Sequence, residues 1–228
     1  MVVGGPFLFI VITNPKAGKA EAMDILHHHL TQLTALVSDA IIRGTEALIT
    51  HDTALARQVS ADDANLNRVR FAIEERTYSL LETGQLSDRD VRIVVSMVIV
   101  SQALEHIGDS AANLAYLAVR ANGPKTGMTR QIDDELTEMA RSASEMVLAA
   151  VTAFVEGDTR MAEAAVRRDR ELNDAYEALS NLTGPADTAE RRLMLLWAAH
   201  NLQQIGAHAA TICERAIFVA TGELKEFR

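Results

Sequence analysis

A chain of 228 residues suffices for one large domain or two of ordinary size, and 48% apolar residues provide a core, which excludes a disordered chain. The formal charge of −9 leaves no overall attraction for phosphate backbones and argues against nucleic acid as a partner. Cys213 is the only cysteine, so an intramolecular disulfide framework and a cysteine-based zinc site are excluded and a reducing compartment fits. Aromatic residues make up only 4%, and Ala, Leu, Glu, Arg and Met are abundant, which predicts an all-α protein.

The chain opens on "MVVGGPFLFIVITNPKAGKAEA". Its apolar block, Phe7 to Ile12, has no preceding basic residue of the kind a signal peptide carries. "NPKAGKAEA" lacks the leading Gly and the Ser or Thr after Gly-Lys that a phosphate loop needs. Residues 1–22 are expected to be an N-terminal extension, with Met23 a sensible alternative start.

From about Ala20 helical periodicity takes over, and its punctuation predicts helices over 21–50, 52–82, 88–120, 129–156, 158–182 and 188–220. Asp52, Ser87 with Asp90, Asp158, and Asp187 with Glu190 are the expected N-terminal caps. The breaks are "TGQLSD" (83–88), "ANGPKTGM" (121–128) and "TGPADT" (183–188). His27, His28 and His29 look like a metal tract, but consecutive helical residues diverge by about 100° and do not chelate together. The apolar run 91–104 carries Arg92, Ser96, Ser101 and Gln102 and falls short of the roughly 20 residues of a membrane span, so it reads as a buried helix and direct membrane insertion is not expected.

Sliding the chain on itself reveals a duplication. At a shift of 106, Asp52 meets Asp158, Asp63 meets Asp169, Leu66 meets Leu172 and Asn67 meets Asn173; at a shift of 98, Leu104, Ile107, Gly108, Ala111 and Ala112 meet Leu202, Ile205, Gly206, Ala209 and Ala210. The expected architecture is two tandem antiparallel three-helix bundles, 23–121 and 128–228, joined near Asn122 to Lys125.

Within "ALEHIGDSAANLAYLAVR" (103–120), Glu105, Asp109 and Asn113 stand four apart. Such residues are offset by about 40° and form one longitudinal strip. Gly108, Ala111, Ala112 and Ala115 beside it admit a close neighbour, and Asp63 and Asn67, also four apart, are candidates to face it. Together they make a set of hard oxygen donors for Mg, Mn, Ca or iron. The bland alternative is a polar seam bonded to Arg, Ser or water, and spacing alone favours that. No Ser, His and Asp arrangement suggests nucleophilic catalysis, no organic cofactor is implied, and Trp197 is expected in the core.

"LEHIGDSAANLA" (104–115), preceded by "ARQVSADDANLN" (56–67) and duplicated in a half that ends "AIFVATGEL" (216–224), resembles the PhoU family of phosphate-uptake regulators over about residues 25–224. That resemblance implies a cytoplasmic, often homodimeric adaptor rather than an enzyme. It would link the ATPase-driven high-affinity phosphate (ABC) transporter, through its ATPase subunit, to a sensor histidine kinase, and repress the phosphate-starvation response when phosphate is plentiful. It also implies a divalent-metal or iron, Mn or Mg cluster site at Glu105, Asp109 and Asp63, with Asn67 a weaker ligand and Asn113 extending the strip. In the second half the matching positions are Gln203, Ala207 and Thr211, although Asp169 and Asn173 remain, so metal is expected in the first bundle only.

His200, Gln204 and His208 form a further strip, but two histidines eight apart are separated by about 12 Å along the axis, too far for one ion. Arg167, Arg168 and Arg170 with Arg191 and Arg192 read as a solvated face paired with nearby acids, or as a docking face for an acidic partner. The rival readings of the whole chain are a metal buffer or metal-dependent enzyme on a helical bundle, and a purely structural helical dimer.

Overall fold

The computed structural model describes residues 18–120, 130–182 and 189–227. The expectations on residues 1–17, the joint near 122–125 and the cap at Asp187 lie outside them. Six helices follow in order: α1 (Lys19–Thr50), α2 (Thr53–Glu82), α3 (Asp88–Arg120), α4 (Arg130–Glu156), α5 (Thr159–Leu182) and α6 (Ala189–Thr221), with no strand among the described residues. The all-α expectation holds. α1 begins at Lys19, ahead of Met23, where Lys19 Nζ lies 2.7 Å from Asp90 Oδ2 at the start of α3.

Capping fixes the reversals. Asp52 Oδ1 accepts from the Ala54 and Leu55 amides at 2.9 and 3.0 Å, and Asp158 Oδ1 accepts from Arg160 and Met161 at the same two distances. Just before each cap the chain turns through a left-handed residue, His51 (φ 55°) in one half and Gly157 (φ 70°) in the other, and the next amide reaches back to Ala47 or Ala153. Ser87 and Asp90 close a reciprocal capping box: the Asp90 carboxylate accepts from the Ser87 amide and hydroxyl, and the Asp90 amide donates to Ser87 Oγ.

The duplication extends to packing. A Cβ on Gly108 would lie 2.8 Å from Leu66 Cδ1, and one on Gly206 would lie 2.8 Å from Leu172 Cδ1, so the same glycine admits the same leucine in each bundle. One seam differs. A Cβ on Gly44 would stand 2.6 Å from the Ala111 carbonyl oxygen, whereas the matching pair in the second half, Ala150 and Ala209, carries a real methyl on each helix. At this level α1 and α3 pack so closely that a β-carbon at position 44 would clash with backbone, where the duplicate carries Ala150.

Both bundles contribute to one continuous core, with Leu30, Ile73, Leu104 and Ile107 from the first and Leu136, Leu172, Leu202 and Ile205 from the second, all 1% exposed or less. The bundles meet through α3 against α6 and α1 against α4. By length and composition α3 would pass for a membrane span, but half of its most apolar 18-residue stretch is buried in this fold. Its hydropathy is explained by contact with α1, α2 and α6 at once.

Candidate functional site

The Gly108–Leu66 contact brings α2 against α3 at the level of the oxygen strip. Leu104, Ile107 and Leu114 are fully buried, which confines Glu105 and Asp109 to the rim. Asp109 is exposed, yet its carboxyl is held above the usual range, first by partial burial and then by the negative charges of Glu105 and Asp63. Asp63 on α2 thus shares an electrostatic neighbourhood with both acids of α3. Asp63 Oδ2 accepts from Asn67 Nδ2 at 3.0 Å, while its Oδ1 is buried and has no hydrogen-bond partner. The nearest compensating group is His106, whose Nε2 lies 3.6 Å from Glu105 Oε2 and carries charge only when protonated. Among the described residues no Arg or Lys pairs with Asp63, Glu105 or Asp109.

This is an under-compensated group of oxygen donors, and an orphaned buried carboxylate oxygen is what a cation would relieve. The donor set suits a hard cation. Among the described residues no three His, Cys, Asp or Glu side chains converge on one point, so an ion held by these side chains as placed would draw on fewer than three carboxylates and fill its shell with water.

The second half uses the same positions differently. Asn173 Nδ2 donates to Asp169 Oδ2 at 3.4 Å, Gln203 Nε2 donates to Asn173 Oδ1 at 2.7 Å, and His200 Nδ1 lies 3.3 Å from Gln203 Oε1. Since the Gln203 nitrogen is spent on Asn173, its oxygen is the acceptor and the imidazole donates. The result is a closed chain from His200 to Asp169 in which amides replace acids. Burial raises the Asp169 carboxyl and the Asn173 hydrogen bond opposes that shift. Gly206 is required here twice over, because a Cβ would also meet Asp169 Oδ1 at 2.9 Å.

Asn113 turns away from the strip. Its Nδ2 donates to Asn201 Oδ1 on α6 at 3.3 Å, and Asn201 Nδ2 donates to the Trp197 carbonyl at 2.8 Å. Seven residues back on α3, the His106 ring stands 5.0 Å from that of His208, seven residues forward on α6. The opposite directions show that α3 and α6 run antiparallel. Sequence reasoning missed both contacts; His208 was weighed only against its own helix, and the signal that finds its partner is the antiparallel register of the duplicated helices. The His208 imidazole is held below its usual pKa by burial and by His106.

Trp197, expected in the core, is instead 51% exposed. Fully buried Ala198 and Ala199 make the contacts at that level of α6, leaving the indole toward solvent. Arg168 pairs with Glu145 of α4, and Arg141 bridges Glu138 and Glu145, so this part of the arginine face is paired.

The PhoU domain family model matches residues 30–118 and 136–216, one match per bundle. A relative in Thermotoga maritima, named phosphate-specific transport system accessory protein PhoU homolog 1, is 26% identical over 211 residues, covering 90% of either chain. One in Pseudomonas aeruginosa, a phosphate-specific transport system accessory protein PhoU homolog, is 27% identical over 208 residues, covering 89% of this chain and 85% of its own. The crystal structure of PhoU from Pseudomonas aeruginosa superposes with a TM-score of 0.80 at 26% identity, over 89% of this chain and 98% of that one. The phosphate transport system regulatory protein PhoU of Streptococcus pneumoniae shares the fold at a TM-score of 0.82 and 23% identity, covering 91% of this chain and 99% of that one. With each of its two bundles matched separately, the chain belongs to the PhoU domain family.

Proposed function

We propose that the protein is an accessory regulator of phosphate uptake, acting through contacts rather than catalysis. The observation that carries this reading is the PhoU domain match in both bundles, together with relatives named as phosphate transport accessory proteins along nearly their whole length. In the cytoplasm, as a homodimer, it bridges the ATPase subunit of the phosphate transporter and a sensor histidine kinase, and it holds the starvation response down at high phosphate. Asp63, Glu105 and Asp109 would together attract a hard divalent cation, with at most two of the three carboxylates ligating it directly, Asn67 as a neutral oxygen donor and water completing its shell. The cation would supply positive charge that neutralises the strip, and the residues themselves supply the orientation of the α2–α3 edge.

Deletion of the gene tests the regulatory reading. Constitutive expression of a starvation-responsive reporter and altered phosphate uptake at high phosphate are expected, and unchanged reporter and uptake would overturn it. Capture of the native protein at high phosphate should bring down the transporter ATPase subunit or the kinase; capture of neither would overturn the adaptor role.

A further inference from the structure

The seam between α1 and α2 holds two arginines, Arg43 and Arg76, and only the first is ion-paired among the described residues. At one end Arg43 Nη1 donates to Asp39 Oδ2 at 2.9 Å and to Asp62 Oδ2 at 2.8 Å, a closed arrangement of one cation and two acids. Fourteen residues back along α1 from Arg43 stands His29, and fourteen residues on along α2 from Asp62 stands Arg76. The helices run in opposite directions, so these two face each other about four turns further along the same seam.

At this end no ion pair forms among the described residues. Arg76 is only 9% exposed, has no ion-pair partner among the described residues, and its Nε is buried without an acceptor. The buried Nδ1 of His29 also has no hydrogen-bond partner. The His29 imidazole is held below its usual pKa by burial, then by His28 and then by Arg76, and no carboxylate works in the opposite direction. His28 sits on the open side, its ring 6.2 Å from that of His29. The neighbouring Thr77 hydroxyl, 1% exposed, is unpartnered too.

A guanidinium does not escape such a site by losing its proton, because it stays charged at any pH a protein survives. A buried, unaccepted donor is costly, and the group that satisfies several donors and a positive charge together is an anion with several acceptor oxygens. We propose that this end of the α1–α2 seam is a binding site for a small tetrahedral oxyanion, held by Arg76 and His29 with His28 at the rim. The net charge of −9 makes a nearly buried arginine without an ion-pair partner a selective feature in this chain, since the acidic surface elsewhere repels anions. The inference does not depend on the regulatory role proposed above.

The test is a titration of the full chain with inorganic phosphate at constant ionic strength, following the His29 ring by NMR, with sulfate and chloride as parallel arms. Saturable movement of the His29 resonance with phosphate, and an upward shift of its pKa, are expected. Arg76→Gln should weaken the response about tenfold or more, the loss of a charge-assisted contact. Arg43→Gln, at the compensated end, should leave it unchanged. If Arg76→Gln does not fold, Arg76→Lys and His29→Ala read the same loss, the latter by calorimetry with phosphate. Sulfate acting like phosphate supports a general oxyanion site. Chloride acting equally well, no saturable response in the wild-type chain, or equal weakening by Arg43→Gln would each overturn the proposal.

Discussion

The two bundles share their caps, their glycine–leucine contacts and their buried alanines, yet differ in the polar groups laid over that frame. In the first, Asp63 leaves an oxygen buried and unpartnered while Glu105 and Asp109 repel it and each other; in the second, Gln203 and Asn173 close a hydrogen-bond chain that ends on Asp169. The helices of the second bundle form without acids at positions 203 and 207, so the fold does not require Glu105 and Asp109. Packing and charge are separable, and the charge is the part that asks for another explanation.

The sharpest way to break this comparison is to convert one half into the other. The double variant Glu105→Gln, Asp109→Ala reproduces the second bundle in the first and should weaken Mn binding about a hundredfold, because two formal charges of the donor set are lost. Its helix content should stay unchanged. The reverse pair, Gln203→Glu with Ala207→Asp, should confer Mn binding on the second bundle. Calorimetric titration of metal-free protein measures both, and undiminished binding by the first variant would sink the assignment of the strip.

The next largest effect concerns the tight seam. Gly44→Ala drives a methyl toward the Ala111 carbonyl, a backbone atom that does not rotate away, and should destabilise the chain by about 2 kcal/mol in chemical denaturation. The matching swap in the second bundle, Ala150→Gly, inserts no atoms and should cost about 1 kcal/mol, the ordinary penalty of glycine in a helix. Equal costs would show that the two seams do not differ. Smaller again is His51→Gly, which gives the first reversal the residue the second already has. A β-carbon at φ 55° is strained, and the buried His51 Nδ1 has no partner, so the substitution should raise stability by about 1 kcal/mol. A lower unfolding midpoint would contradict that reading.

Much of this frame was legible before any coordinates. Caps such as Asp52, Ser87 with Asp90, and Asp158 are local chemistry, and every helix lies where periodicity and breaks put it. The duplication made the two-bundle arrangement legible as well. The partners on the third side of a helix were not. Periodicity tells which residues of α3 share a face, but not whether Asn113 bonds beside Asp109 on α2's side or across to Asn201, nor that His106 meets His208. Trp197 failed for a related reason: large apolar residues are usually buried, but alanines already fill the contact positions of α6, and nothing on its own helix reveals that. The orphaned Asp63 oxygen is likewise invisible to spacing, since an unmet hydrogen bond is a property of the surroundings.

The smallest effect tests the repulsion itself. Asp109 has its folded-state pKa raised, by burial and by the charges of Glu105 and Asp63. Between its unfolded and folded pKa values the folded chain binds more protons, so stability from this group falls as pH rises through that window. At neutral pH the ionised carboxylate is therefore a net cost in the metal-free protein, and Asp109→Asn should be more stable than the parent. Because the side chain is well exposed, solvent screening keeps the gain below about 1 kcal/mol. The gain should vanish below the ordinary carboxylate range, where both forms are neutral. Unfolding midpoints across pH, measured with chelator and again with Mn, separate the terms: with the cation bound the sign should reverse, because Asp109 then loses a favourable partner. A gain that persists unchanged with Mn would mean that the repulsion is real but that no ion answers it.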